Sequence, residues 1–336
     1  QFDEIFKSEN VQAENIMNTL IKNLKSYSTN DFIEIKFSIE KYLSIENYIK
    51  FNSIVGSYLY NTSKDIDNSL IFLEPILEDA INRKNNFLPL IIFQLQRVYN
   101  KSKQWYKSIQ LFKNLNMNLI YEKEIKGYIL FNFGLAFHKK NSYTKAITLY
   151  QEALNLVNKT LAKESCLNNI GYCYILDKEY FKAIDYFHNV LKESANSKYV
   201  KILSYSNLIL CGIETKNGVM IKNNINRLEI SIDSICNNKR YQSYMTLGKG
   251  YLFFNDIQNA IINFEKELDL GVNIKDSHFL IEKYIFSVIE LIKLYEVFTI
   301  DRINKIQSAI FKKKKNSFSN FEIVEIIDLI FEKFPK

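Results

Sequence analysis

Residues 128–157 read YILFNFGLAFHKKNSYTKAITLYQEALNLV. Two short amphipathic helices joined by a polar turn account for this pattern. The first carries Leu130, Phe133, Gly134 and Phe137, and the second carries Ala146, Tyr150 and Ala153. Both sets follow the i, i+3, i+4, i+7 spacing of one helix face. Lys139, Lys140, Asn141 and Ser142 form the turn, and Tyr143 opens the second helix. Gly134 and Ala146 are small where the helices cross, so the backbones can approach closely.

The same pattern recurs downstream. Leu167, Ile170, Gly171, Tyr174, Tyr180, Ala183, Phe187 and Val190 repeat it, and so do Tyr244, Leu247, Gly248, Tyr251, Ile257, Ala260 and Phe264. Leu, Gly and Tyr followed by Ala, Phe and Ala at these distances resembles the tetratricopeptide repeat, a helical hairpin of about 34 residues. The resemblance implies an all-α fold, a right-handed superhelical solenoid of hairpins. It is no guide to function by itself, because such arrays serve many partners.

Outward from these units, the register extends to six centres: Gly56, Gln96, Gly134, Gly171, Ile209 and Gly248, spaced 37 to 40 residues apart. In the unit around Gln96, Trp105 occupies the slot held elsewhere by Tyr143 and Tyr180. Tyr205, Leu208, Ile209, Ile221, Ile225 and Leu228 supply the unit between Gly171 and Gly248, with Gly218 in its turn. The unit around Gly56 is weak. Leu70, Leu73, Ile76 and Leu77 miss the common register, and Pro75 should break its second helix. Three regions follow: an N-terminal helical pair over 1–46, degenerate or capping; the array over 47–272; and C-terminal helices over 273–336, capping or dimer-forming. Asn30 or Asp31 is expected to cap the second N-terminal helix. Departure from consensus is expected at the ends of an array, where a unit must close the exposed core.

Composition agrees with an all-helical chain. Nine glycines and three prolines in 336 residues are too few for a sheet protein with many tight turns. At 47 % hydrophobic the chain can fill a continuous core. Heavy use of Lys, Asn and Ile suggests an AT-rich bacterial genome. The net charge of +7 is mild over a long surface and permits an acidic partner without requiring one. Cys166, Cys173, Cys211 and Cys236 form no C-x-x-C pair, and buried reduced thiols are expected, as suits the cytoplasm. There is no signal-peptide pattern and no apolar run long enough for a membrane span. The opening at Gln1, already in a helix-like segment, reads as a trimmed chain. Lys312–Lys315 reads as a solvated turn rather than a phosphate patch.

Nothing points to catalysis. His138, His188 and His278 match no metal spacing, no phosphate-cradling or nucleophile-elbow motif occurs, and neither a cofactor nor an enzymatic activity is expected. The array offers a groove instead, lined by the first helices. Two residues before each centre stand Gln94, Asn132, Asn169, Asn207 and Thr246, while the first unit has Ile54. A carboxamide both donates and accepts, so a row of them can hold the backbone of an extended peptide. The alternative is that each bonds within its own repeat. Flanking positions are Phe93, Arg97, Tyr128, Phe131, Leu135, Asn168, Tyr172, Leu210 and Lys249. Such a lining suits a short hydrophobic peptide, with Arg97 or Lys249 available to a carboxylate.

Divergent repeats, the Ile/Asn/Lys-rich composition and the asparagine series together make the chain similar to the sensor region of the RRNPP family. These are bacterial receptors (of Rap, Rgg, NprR, PlcR and PrgX type) for short secreted signalling peptides. The resemblance implies peptide binding through Gln94, Arg97, Phe131, Asn132, Leu135, Asn168, Asn169, Tyr172, Asn207 and Lys249. It also implies a homodimer and control of transcription through a helix-turn-helix domain that this chain lacks. Two other readings stay open: an adaptor for a folded protein partner, including a Rap-type regulator of a response regulator, and a phage-encoded relative that controls lysis versus lysogeny through a peptide.

Overall fold

The computed structural model describes residues 2–192, 197–271, 287–291 and 293–294. No strand occurs among them. Over 2–271 the helices follow in order: α1 Phe2–Lys22, α2 Thr29–Ile39, α3 Ile45–Tyr58, α4 Ile66–Leu73, α5 Leu77–Asn82, α6 Leu88–Lys101, α7 Trp105–Asn114 and α8 Lys123–Lys139. Next come α9 Tyr143–Leu156, α10 Thr160–Leu176, α11 Tyr180–Lys192, α12 Lys198–Glu214, α13 Gly218–Ile232, α14 Asn237–Phe253 and α15 Ile257–Gly271. The fold is an all-α solenoid of helical hairpins. The chain divides into two compact units, Gln1–Cys173 and Tyr174–Lys336. His278, Lys312–Lys315 and most of the C-terminal helices expected over 273–336 lie outside the described residues.

Each centre read from the sequence sits in a first helix: Gly56 in α3, Gln96 in α6, Gly134 in α8, Gly171 in α10, Ile209 in α12 and Gly248 in α14. The reason is steric. A Cβ on Gly134 would stand 2.7 Å from Cε1 of Tyr150, and one on Gly248 only 2.5 Å from Cε1 of Phe264. Both rings are completely buried, so neither can step aside. Gln96 occupies this slot in α6. It is fully buried, and neither end of its carboxamide has a hydrogen-bond partner among the described residues.

The turns were not readable as glycine turns, and the structure shows why. Lys64, Lys103, Asn141, Lys178, Lys216 and Asn255 have φ between 55 and 61°, the left-handed region. Each ends the crossing from a first helix to a second. In five of the six hairpins this residue falls seven positions after the centre; in the first it falls eight after Gly56. The extra residue is taken up by a π-helical segment, Leu59–Ser63, at the end of α3. A π-bulge inserts one residue into a helix, which is why this unit loses the common register. Its second helix is also interrupted at Pro75, between α4 and α5.

Two local expectations need correction. Ser28, not Asn30 or Asp31, caps α2: its hydroxyl accepts from the Asp31 N–H at 3.3 Å, and Asp31 returns the bond to the Ser28 N–H at 2.7 Å. Asp31 is therefore the far half of a capping box. Gly218 is the first residue of α13 rather than a turn residue, and Asn217 caps that helix by accepting from the Met220 N–H at 3.0 Å.

In Gln1–Cys173, α1 and α2 bury Ala13, Met17, Leu20 and Phe32 against Phe51, Val55 and Phe72 of α3 and α4. A second cluster runs from Ile49 through Leu95 and Ile129 to Cys166, joining α3, α6, α8 and α10. In Tyr174–Lys336, α11 packs against α12 and α12 against α14, around Ile209, Ile225, Leu228 and Leu247. Each large apolar side chain so buried contributes about 1.5–3 kcal/mol. Cys166, Cys173 and Cys211 belong to these interiors, and burial pushes the Cys166 and Cys211 thiols up to about 12. Cys236 is exposed, against the expectation of four buried thiols. Among the described residues no helix is long and apolar enough to cross a membrane.

Candidate functional site

In the unit Gln1–Cys173 the first helices α6, α8 and α10 place eight of the ten expected residues: Gln94, Arg97, Phe131, Asn132, Leu135, Asn168, Asn169 and Tyr172. Asn207 and Lys249 lie in α12 and α14 of the other unit. Asn207 is buried, and burial holds the Lys249 ammonium below the usual lysine range. Thr246, the last of the polar series, donates to the Gln242 carbonyl of its own helix at 3.2 Å.

The series is not uniform. Gln94 is 3 % exposed, and its Oε1 accepts from Nη1 of Arg97 at 3.1 Å. The same Nη1 donates to Oδ1 of Asn61 at 2.8 Å. Gln94 therefore positions the arginine one turn further along α6. The Arg97 guanidinium also lies over two rings, 4.7 Å from the centroid of Tyr60 and 5.3 Å from that of Phe93. Tyr60 and Asn61 come from the π-helical segment, so the extra residue there serves to hold Arg97. Sequence reading missed both residues. The one available signal was the ten residues from Gly56 to the start of α4, against nine in the other hairpins.

Asn132 and Asn169 behave differently. Asn132 is 9 % exposed; its carbonyl accepts from Nδ2 of Asn100 at 2.9 Å, while its carboxamide has no hydrogen-bond partner among the described residues. Asn169 is half-buried and its carboxamide faces the Tyr150 hydroxyl, which it favours in ionised form against a larger opposing effect of burial. The Tyr150 hydroxyl closes no hydrogen bond of standard geometry among the described residues. Asn168 is buried, and Leu135 is half-buried.

Aromatic rings run between these groups. Phe93 stands 6.3 Å from Tyr128, Phe131 stands 5.5 Å from Tyr150, and Tyr172 stands 5.6 Å from His138. Tyr128 donates to Glu124 at 3.2 Å. His138 is 7 % exposed, and burial with the neighbouring Lys139 charge brings its pKa down to about 4, so the ring is neutral at pH 7. Beside Tyr128 and Phe131 opens a pocket of about 240 Å³. Its walls are Val157, Leu161, Ala162 and Cys166, with Lys159 and Ser165 as the polar lining. Lys159, from the α9–α10 connection, and Leu161, in the first turn of α10, had not been singled out in the sequence.

No protein-family model and no curated protein sequence matches the chain. Solved structures do. A tetratricopeptide repeat protein from Parabacteroides merdae ATCC 43184 is similar with a TM-score of 0.56 at 13 % identity, over 84 % of this chain and 99 % of that one. The Cut9–Hcn1 hetero-tetramer of APC/C is similar with a TM-score of 0.52 at 12 % identity, over 85 % of this chain and 52 % of that one. These likenesses show the fold: this is a tetratricopeptide-type helical repeat array.

Proposed function

We propose that the chain binds a short, largely apolar peptide in extended form along its first helices, and that it is the sensor part of an RRNPP-type receptor. The observation that supports this most is Asn132. Its carboxamide stands at the edge of the interior, 9 % exposed, with no hydrogen-bond partner among the described residues, so both its donor and its acceptor are open to a ligand. A peptide backbone offers a donor and an acceptor at each residue. Asn169 on the neighbouring first helix extends the same polar line, and Phe93, Tyr128 and Phe131 provide apolar contact beside it. Binding is the role, without catalysis. The peptide would bridge α6, α8 and α10 and change how they pack, and that change would alter a homodimer contact or the placement of a DNA-binding domain outside this chain. The protein would work in the cytoplasm.

A second reading is an adaptor for a folded protein. It is favoured by exposed apolar side chains on second helices, Phe181 on α11 and Val219 on α13, which border an open pocket of about 570 Å³ with His188 and Arg227.

A thermal-shift titration separates the two. The probes are synthetic peptides of about 5 to 10 residues, taken from small reading frames beside the gene. At a hundredfold excess over Kd, mass action adds about 2.7 kcal/mol to the folded state. A saturable rise in Tm for one peptide, lost in Asn132→Ala and Asn169→Ala, is the expected result. No shift for any peptide gives the adaptor reading precedence.

A further inference from the structure

We infer that the unit Gln1–Cys173 reads its peptide through two anchors at a set spacing. One is a carboxylate on Arg97; the other is a single large apolar side chain in the Tyr128–Phe131–Leu161 pocket, three to four residues away. This rests on the peptide-binding reading above and names the chemistry that would be read.

The first anchor is the outer edge of Arg97. Its Nη1 is spent on Asn61 and Gln94, at 2.8 and 3.1 Å. Tyr60 and Phe93 hold the guanidinium plane. Among the described residues Nε and Nη2 have no partner, and no carboxylate bridges to Arg97. Those two N–H groups form the fork that takes a carboxylate through two parallel bonds. The rings and carboxamides have already restricted the side chain, so little further ordering is needed on binding. Lys249, the other cation considered for this role, is held by burial below the usual lysine range and lies in the other unit.

The second anchor is the pocket between α8 and α10. At about 240 Å³ it is smaller than the roughly 300–1,000 Å³ typical of sites for whole small molecules, and it suits one side chain. Its walls are chiefly apolar, and Leu161 at its mouth is 53 % exposed.

Phe93 links the two. Its ring is 5.3 Å from the Arg97 guanidinium and 6.3 Å from the Tyr128 ring. The Arg97 guanidinium and the Tyr128 ring at the wall of the pocket are therefore at most about 12 Å apart, and an extended residue advances roughly 3.3–3.6 Å. Three to four residues cover the distance.

The test uses N-terminally fluorescein-labelled eight-residue Gly/Ser peptides carrying one phenylalanine, titrated with the full chain and read by fluorescence polarisation up to millimolar concentration. The phenylalanine is moved from one to six residues before a free C-terminal carboxylate. A second arm has an amidated C-terminus, and a third is amidated with an aspartate as its last residue. Tightest binding, by at least fivefold, is expected at a separation of three or four. Amidation should cost about tenfold; recovery by the aspartate would identify a side-chain carboxylate as acceptable, and no recovery would identify the terminus as the group read. Arg97→Gln should erase the acid–amide difference, and Leu161→Asp, at an exposed position, should erase the dependence on phenylalanine. Equal affinity at every separation, or an acid–amide difference that survives Arg97→Gln, overturns the two-anchor reading and leaves peptide binding standing. No binding by any member, when peptides from the gene neighbourhood also give no thermal shift, overturns both.

Discussion

At the scale of single residues, His138 joins burial to pH. Its ring lies between Tyr143 and Tyr172, 6.2 and 5.6 Å away, and its pKa falls to about 4. The unfolded chain binds this proton near pH 6.5, so the native state holds fewer protons over that interval. The stability His138 contributes is then fully present above about pH 6.5 and is lost as pH falls towards 4. Urea unfolding at pH 7 and pH 5 should show a loss of about 2 kcal/mol attributable to this group. His138→Phe, which keeps the ring and removes the titration, should have a smaller pH dependence by that amount; equal dependence in both proteins refutes the assignment. Little of this was visible beforehand. The sequence placed His138 near the end of a first helix, but its depth depends on Tyr172, 34 positions away in another hairpin.

At the scale of elements, the left-handed residues at the hairpin turns are the least expected feature. Six crossings use Lys or Asn where glycine would be the unstrained choice. Lys103→Gly, Lys178→Gly and Lys216→Gly should therefore each stabilise the protein, by about 0.5–1 kcal/mol after the larger chain entropy of glycine is allowed for. Denaturant midpoints measure this directly, and a lowered midpoint at all three positions would mean that the turns carry no backbone strain. The positions of the hairpins were legible because the apolar period and the small residues at the crossings are local, repeated and mutually consistent. Of the turns, Lys139–Ser142 was placed correctly, but the left-handed positions were not, because no glycine marks them. The π-helical segment at Leu59–Ser63 was hidden for a related reason. One inserted residue shifts every later apolar position in its unit, and the pattern then looks degenerate rather than displaced.

At the scale of the whole molecule, a repeat array has no single centre, and its stability is close to a sum of units and their neighbouring contacts. Gly134→Ala forces a methyl group against the buried Tyr150 ring and Gly248→Ala against Phe264. Each should cost about 1–3 kcal/mol, the usual penalty of overpacking. The loss should also stay local. Hydrogen exchange should quicken most in α8 and α9 for Gly134→Ala and most in α14 and α15 for Gly248→Ala; uniform quickening in both would show one cooperative body instead. By itself the sequence determined that the chain is helical, that its helices pair as tetratricopeptide-type hairpins, and where the six centres fall. Those properties follow from short-range periodicity, which a chain carries residue by residue. Only the tertiary structure decided what each polar residue on the first helices does. Gln94 and Asn132 occupy equivalent slots, yet one is tied to Arg97 and the other has an unused carboxamide. The difference comes from Tyr60 and Asn61, which reach Arg97 across about 36 residues of chain. It also comes from Leu161 and Val157, which close a pocket beside Tyr128. Contacts of that range depend on how neighbouring hairpins stack, and no local pattern encodes them.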